Sequence, residues 1–236
     1  MKLPDIQNNE SLRQREFPVC ADKVYLAHAG VSPVPLVVTQ AIHEVAAAAG
    51  LDEQEVGLGD LLRVTRARTA ELLGSSVNEV ALIGPTTAGL SAVAAGLAWQ
   101  PGDEVLIYQE DFPVNVYPWQ ALETCGVTVR RLQTPTLGQI TSELVIEQLT
   151  DQTRLVALAS CHFVSGWRID HDAIGRELRE RNVLFCLDAI QTLGAFPTTV
   201  EHVDFLAADS HKWLLGPCAA GVFYVRHELQ DHLSPS

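Results

Sequence analysis

Short apolar runs that alternate with helix-like segments constrain this chain more than any other feature. Runs at 80–83, 104–108, 127–132, 155–159, 183–187 and 222–225 are too short for buried helices and are rich in Val, Leu and Ile. They read as strands covered on both faces. Between them lie segments with helical spacing: Ala- and Val-rich 36–49, charged and Leu-bearing 60–73, small and apolar 87–97, and amphipathic 141–149 and 172–181. Strand and helix in alternation specify an α/β domain with a mostly parallel sheet and helices on both faces.

Composition narrows the function. The 236 residues carry a net charge of −13, which repels phosphate backbones and argues against nucleic-acid binding. The simpler consequence of the charge is solubility. No apolar run approaches the length of a membrane span, and the N-terminus lacks the apolar stretch of a secretory signal. Cys20, Cys125, Cys161, Cys186 and Cys218 are scattered, odd in number and free of any C-x-x-C pair. They suggest a reduced, cytoplasmic protein with neither a disulfide framework nor a zinc site. The eight histidines show no metalloprotease spacing, so no metal is expected. The glycine-rich signatures of dinucleotide and nucleoside-triphosphate sites are absent as well.

The chemistry concentrates between 183 and 225. An apolar strand ends in Asp188, followed by Ala189-Ile190-Gln191. A second apolar segment, 203–208, leads into Asp209-Ser210-His211-Lys212-Trp213. In an open α/β sheet, ligand groups gather past the carboxyl ends of strands, so Asp188 and the Ser-His-Lys group can face one another. A lysine and a carboxylate opposed across a ligand suit pyridoxal 5′-phosphate (PLP). The lysine condenses with the aldehyde as a Schiff base, and the carboxylate keeps the ring nitrogen protonated. Taken singly, such a lysine is commonly a solvated surface residue and such an aspartate a helix cap.

Asp188-Ala189-Ile190-Gln191 followed by Ser210-His211-Lys212 resembles the class V aminotransferase family, which includes cysteine desulfurases, kynureninases and isopenicillin N epimerase-like proteins. The likeness runs from Tyr25-Leu26-Ala27-His28-Ala29-Gly30 to Val222-Phe223-Tyr224-Val225. It implies the large domain of PLP-dependent transferase fold type I, over residues 25–236 after an N-terminal arm at 1–24. The family's C-terminal small domain, which carries the substrate-clamping arginine, is expected to be absent. Lys212 is implied as the Schiff-base lysine and proton shuttle, Asp188 as the partner of the pyridine nitrogen, and Gln191 as the partner of the phenolic oxygen. Thr86, Thr87 and Ala88 would hold the phosphate at a helix start, with His211 adding a contact. Phe112 would stack on the ring where desulfurases place a histidine. His162 would contact cofactor or substrate, or be a satisfied buried histidine.

Three departures from the family pattern carry expectations of their own. Asp209 stands where relatives often bind phosphate with serine, so Asp209 is expected to orient His211 and Ser210 to serve the phosphate. Ala219 replaces a common glycine and is expected to avoid positive φ. Arg168 offers a carboxylate contact or a surface ion pair. The resemblance implies a PLP-dependent enzyme of aminotransferase, lyase or epimerase type. It would take a small amino-acid substrate and, at full length, form a homodimer. The alternative is a truncated, non-catalytic relative that keeps the fold, with or without PLP binding.

Overall fold

A computed structural model describes residues 3–51 and 57–234. In the N-terminal arm, α1 (Leu3–Gln7), α2 (Glu10–Glu16) and α3 (Val19–Asp22) are short. The helices α4 (Leu36–Ala48) and α5 (Leu58–Leu73) follow. From there strand and helix alternate: β1 (Val80–Ile83), α6 (Thr86–Gly96), β2 (Glu104–Ile107), α7 (Tyr117–Gln120), β3 (Thr128–Arg131), α8 (Ser142–Glu147), β4 (Thr153–Ala159), α9 (His171–Glu180), β5 (Leu184–Asp188), β6 (Phe205–Ala208) and β7 (Gly221–Val225). The strands make one sheet in the order β1-β7-β6-β5-β4-β2-β3. Only β7 is antiparallel to its neighbours, pairing with β6 and β1, and every other pairing is parallel. This is the mostly parallel sheet expected from the apolar runs, with boundaries moved by one or two residues.

Period-two alternation divides the core between the two faces of the sheet. Val156, Leu158, Phe185, Leu187 and Leu206 pack with Ile174 and Leu178 of α9 and Val145 of α8. Val105, Ile107, Leu155, Cys186 and Phe205 pack on the other face with Leu90 and Val93 of α6 and with Trp119 of α7. Both faces are therefore covered, as near-continuous apolar strands require. Side-chain caps set several helix starts. Thr141 accepts from Leu144 N at the start of α8, and Asp170 accepts from Ala173 N at the start of α9. Helix α5 stops at Gly74, which takes a left-handed φ of 67°.

The parallel strands β1, β2, β4, β5 and β6 all point their carboxyl ends to one edge, where the loops after them meet. Helix α6 presents its first turn to that edge and lies unusually close to the sheet. A Cβ on Gly89 would fall 2.7 Å from Cβ of Ala207 and 3.0 Å from Cδ1 of Ile83. Gly89→Ala is expected to push α6 off β6 and to destabilise the fold by about 1–3 kcal/mol, although alanine is the better helix former. Urea denaturation of the two proteins measures it.

Candidate active site

At the carboxyl edge of the sheet lies a cavity of about 410 Å³. Of the residues singled out in the sequence, Thr86, Thr87, Phe112, Asp209, His211 and Lys212 line it. Lys212 follows β6, is 7% exposed, and points Nζ over the Phe112 ring at 5.6 Å from its centroid. Among the described residues, no acceptor lies within hydrogen-bond or ion-pair distance of Nζ. Burial lowers the Lys212 pKa below its ordinary value, against the pull of Asp188 and Asp209. Burial thus shifts Lys212 towards the neutral amine that a Schiff base needs.

Asp188, the last residue of β5, is 1% exposed and is not among the residues that line the cavity. Burial, reinforced by the nearby Asp111 carboxylate, pushes its pKa up to about 7. The Ile190 N–H at 3.0 Å and the charge of Lys212 oppose the rise. Asp111 accepts from Phe112 N at 2.8 Å, from Asn115 Nδ2 at 3.0 Å and from Ala159 N at 3.0 Å, so it ties the Phe112 loop to the end of β4. Ala159 pairs with Asp188 in the sheet, which places the two carboxylates on neighbouring strand ends.

Other expected contacts are committed elsewhere. Gln191 donates from Nε2 to the Ala29 carbonyl at 3.0 Å and accepts from the Trp213 indole at 3.3 Å, so its amide ties the segment before α4 to the lysine loop and does not line the cavity. Ser210 donates its hydroxyl hydrogen to the Pro217 carbonyl at 2.7 Å, inside its own loop and away from the cavity wall. The Ala88 N–H goes to the Pro85 carbonyl at 2.8 Å. Those of Thr86 and Thr87 find no acceptor among the described residues and remain open at the start of α6. His162 is a satisfied buried histidine: Nε2 meets the Glu110 carbonyl at 2.9 Å, while Nδ1 meets both N and Oγ of Ser165 at 3.1 Å. The guanidinium of Arg168 lies over the Phe196 ring at 4.6 Å and does not line the cavity.

Asp209 is 4% exposed, lines the cavity, and receives His211 Nδ1 at 2.8 Å, so the expected pairing of the two side chains is present. Ala219, expected to avoid positive φ, instead adopts 64°. That geometry aims its N–H, and that of Ala220, at Asp209. The sequence also left unassigned several residues that line the cavity, among them Ala29, Gly30, Val114 and Phe163. Phe163 meets Phe112 edge-on at 5.2 Å. Its only signal was membership of a strand-end motif. Ala29 and Gly30 lie on the segment between the arm and α4, which is fixed by Ser32 N donating to the His211 carbonyl at 2.8 Å and by His28 stacking on Trp213 at 5.1 Å.

One further cluster, Asp172, Glu201 and His202, brings metal-ligating atoms within 4.8 Å of one another away from the cavity. Asp172 is ion-paired there to Arg176 and His202, each at 2.7 Å, and the His202 contact holds its carboxyl below the usual range.

The aminotransferase class-V family model matches residues 24–236. The chain belongs to that family. A probable cysteine desulfurase from Methanothermobacter thermautotrophicus is 28% identical over 230 residues, covering 94% of this chain and 58% of the relative. An uncharacterized aminotransferase from Bacillus subtilis is 32% identical over 176 residues, 72% of this chain and 46% of that protein. Among solved structures, the cystine C–S lyase C-DES with its product cysteine persulfide superimposes with a TM-score of 0.87 at 26% identity, covering 93% of this chain and 61% of that one. The Escherichia coli cysteine desulfurase CsdA gives a TM-score of 0.84 at 26% identity, covering 96% and 60%. The chain thus spans about six-tenths of the structures it matches. Its sheet is that of the fold type I large domain, whose cofactor is PLP. The residues present fit that group: an amine facing the cavity, a buried carboxyl near that amine, an aromatic face, and open N–H groups at the start of α6.

Two outcomes follow from these environments. The folded Asp188 carboxyl keeps its proton up to about pH 7, whereas an unfolded one releases it near 3.8. Between those values the folded state binds more protons, so stability falls as pH rises through the window. Without PLP, Asp188→Asn is expected to be more stable than the parent at pH 8, by as much as about 4 kcal/mol, and the gap should close towards pH 4. Denaturation across pH tests this, and a gap independent of pH would contradict it. Ala219→Gly should relieve the left-handed strain and add up to about 1 kcal/mol, read from the denaturation midpoint.

Proposed function

We propose that this protein is a PLP-dependent enzyme of the aminotransferase, lyase or epimerase type that acts on a small amino acid, with Lys212 as the amine that bonds the cofactor. The observation that carries the reading is the Lys212 amine, withdrawn from water, unpartnered among the described residues and turned into the cavity. When bound, PLP supplies an aldehyde that condenses with amines and a ring that draws electron density from the substrate. Lys212 would bond the cofactor's aldehyde through Nζ and, once displaced by the substrate's own amine, would take a proton at Nζ from the substrate α-carbon and return it. Asp188 supplies the negative charge that favours a protonated ring nitrogen. Phe112 gives the ring an apolar face and, unlike a histidine there, neither takes nor gives a proton. The open N–H groups of Thr86 and Thr87 suit the phosphate, since a helix start concentrates partial positive charge.

A homodimeric assembly and a cytoplasmic location are part of the same proposal. The first rests on the family, the second on five cysteines that are all free thiols. In the non-catalytic alternative the fold persists but no substrate turns over.

Titration with PLP tests the reading. The purified protein should develop the visible absorption band of a lysine-bound cofactor, and Lys212→Ala should abolish it while the far-UV circular dichroism stays unchanged. A folded parent protein that develops no band would refute the assignment.

A further inference from the structure

Three backbone N–H groups converge on one buried carboxylate at the cavity wall. Asp209 Oδ1 accepts from Ser210 N at 2.7 Å and from Ala220 N at 3.1 Å, and Oδ2 accepts from Ala219 N at 3.0 Å. A concave set of N–H groups of this kind binds anions. Here the anion is the chain's own side chain. The arrangement is held at a cost, because Ala219 adopts its left-handed φ to complete it. Asp209 is also fixed through its own backbone, which donates to Thr86 Oγ1 at 2.9 Å.

The remaining donor to this carboxylate is His211. Its Nδ1 lies 2.8 Å from Asp209 Oδ2, and its backbone carbonyl accepts from Ser32 N, so both ends of the residue are fixed. A carboxylate is acceptor-only when ionised, so the short contact requires the proton on Nδ1. The ring is thereby set in one tautomer and one orientation, with Nε2 as the nitrogen left over. His211 lines the cavity together with Thr86 and Thr87.

We propose that Asp209 is a positioning residue of the cofactor site: it fills the backbone nest itself, which keeps an outside anion off those N–H groups, and it fixes His211 so that Nε2 is offered to the phosphate of PLP. The inference rests on the reading of the cavity as a PLP site. Neutral, Nε2 accepts from a hydroxyl. Protonated, it donates to an anionic oxygen while Asp209 balances the charge on the other side of the ring.

A double-mutant cycle on PLP affinity tests the coupling, with Asp209→Ser and His211→Ala made singly and together. Asp209→Ser is expected to weaken PLP binding about tenfold in the parent and less than twofold in the His211→Ala background. Equal losses in both backgrounds would mean that Asp209 serves only the loop, and the proposal would fail. Nitrogen-15 spectra of the unliganded protein, with the His211 signals assigned by their loss in His211→Ala, supply a readout independent of PLP. Nδ1 should carry the proton in the parent and lose that preference in Asp209→Ser, or in Asp209→Asn should the serine variant not fold. An Nε2-protonated parent ring would overturn the inference even if PLP binds. Failure of the parent to bind PLP would instead remove the cofactor reading, with the spectra still deciding whether Asp209 sets the ring.

Discussion

Lys212 and Asp188 are both withdrawn from water at one edge of the sheet, and the structure around them is shaped by what that withdrawal costs. An isolated buried charge is penalised by several kcal/mol, so each group is driven towards its neutral form: the amine down from 10.5, the carboxyl up to about 7. Such a pair is poor material for stability. It is good material for a site, because a ligand that brings its own cation and its own electrophile relieves both penalties together. The parallel sheet makes this possible by ending β5 and β6 side by side, with the aspartate as the last residue of one strand and the lysine a few residues past the other.

Loops that meet at such an edge need fastening, and here buried polar side chains do it over long stretches of sequence. Asp111 joins the loop after β2 to β4, Gln191 joins the segment after β5 to Ala29 and to Trp213, and Asp209 joins the lysine loop to the turn before β7. Each has its acceptors or donors filled inside the protein, which keeps burial tolerable. The same commitments remove Gln191 and Ser210 from the cavity wall and leave the open α6 amides and His211 to face it.

Much of this was legible in the sequence. The apolar runs located the strands because both faces of the sheet are buried, so Val, Leu and Ile had to be contiguous. His211 and Lys212 were singled out because they follow a strand end, where ligand groups collect, and Thr86, Thr87 and Phe112 through the family resemblance; all five line the cavity. What the sequence left open has a common cause. Whether Gln191, Ser210 or His162 faces the cavity depends on which carbonyl or hydroxyl arrives from a distant segment, and no local pattern encodes that. The φ of Ala219 is of the same kind: its left-handed turn answers to a carboxylate ten residues upstream. Ala29 and Gly30 lie between the arm and α4, and the stacking of His28 on Trp213 together with the bonds of Ala29 to Gln191 and Ser32 to His211 brings them near.

The proton inventory of the cavity bears on which chemistry the site can run. Among its lining residues only Lys212, His211 and Asp209 titrate, and the last two are bonded to each other. Phe112 and Phe163 fill the wall above the amine with hydrocarbon. No cysteine is among the lining residues: Cys186 is sealed in the core, and Cys161 and Cys218 lie on neighbouring loops outside the wall. Among the described residues, the thiol that attacks substrate sulfur in desulfuration has no counterpart on this wall. Under the proposed function, the cavity's contribution is one amine that moves a proton to and from a carbon held beside it. That capacity is shared by transamination, elimination and epimerisation, and the choice among them falls to groups that grip the substrate rather than to those that grip the cofactor.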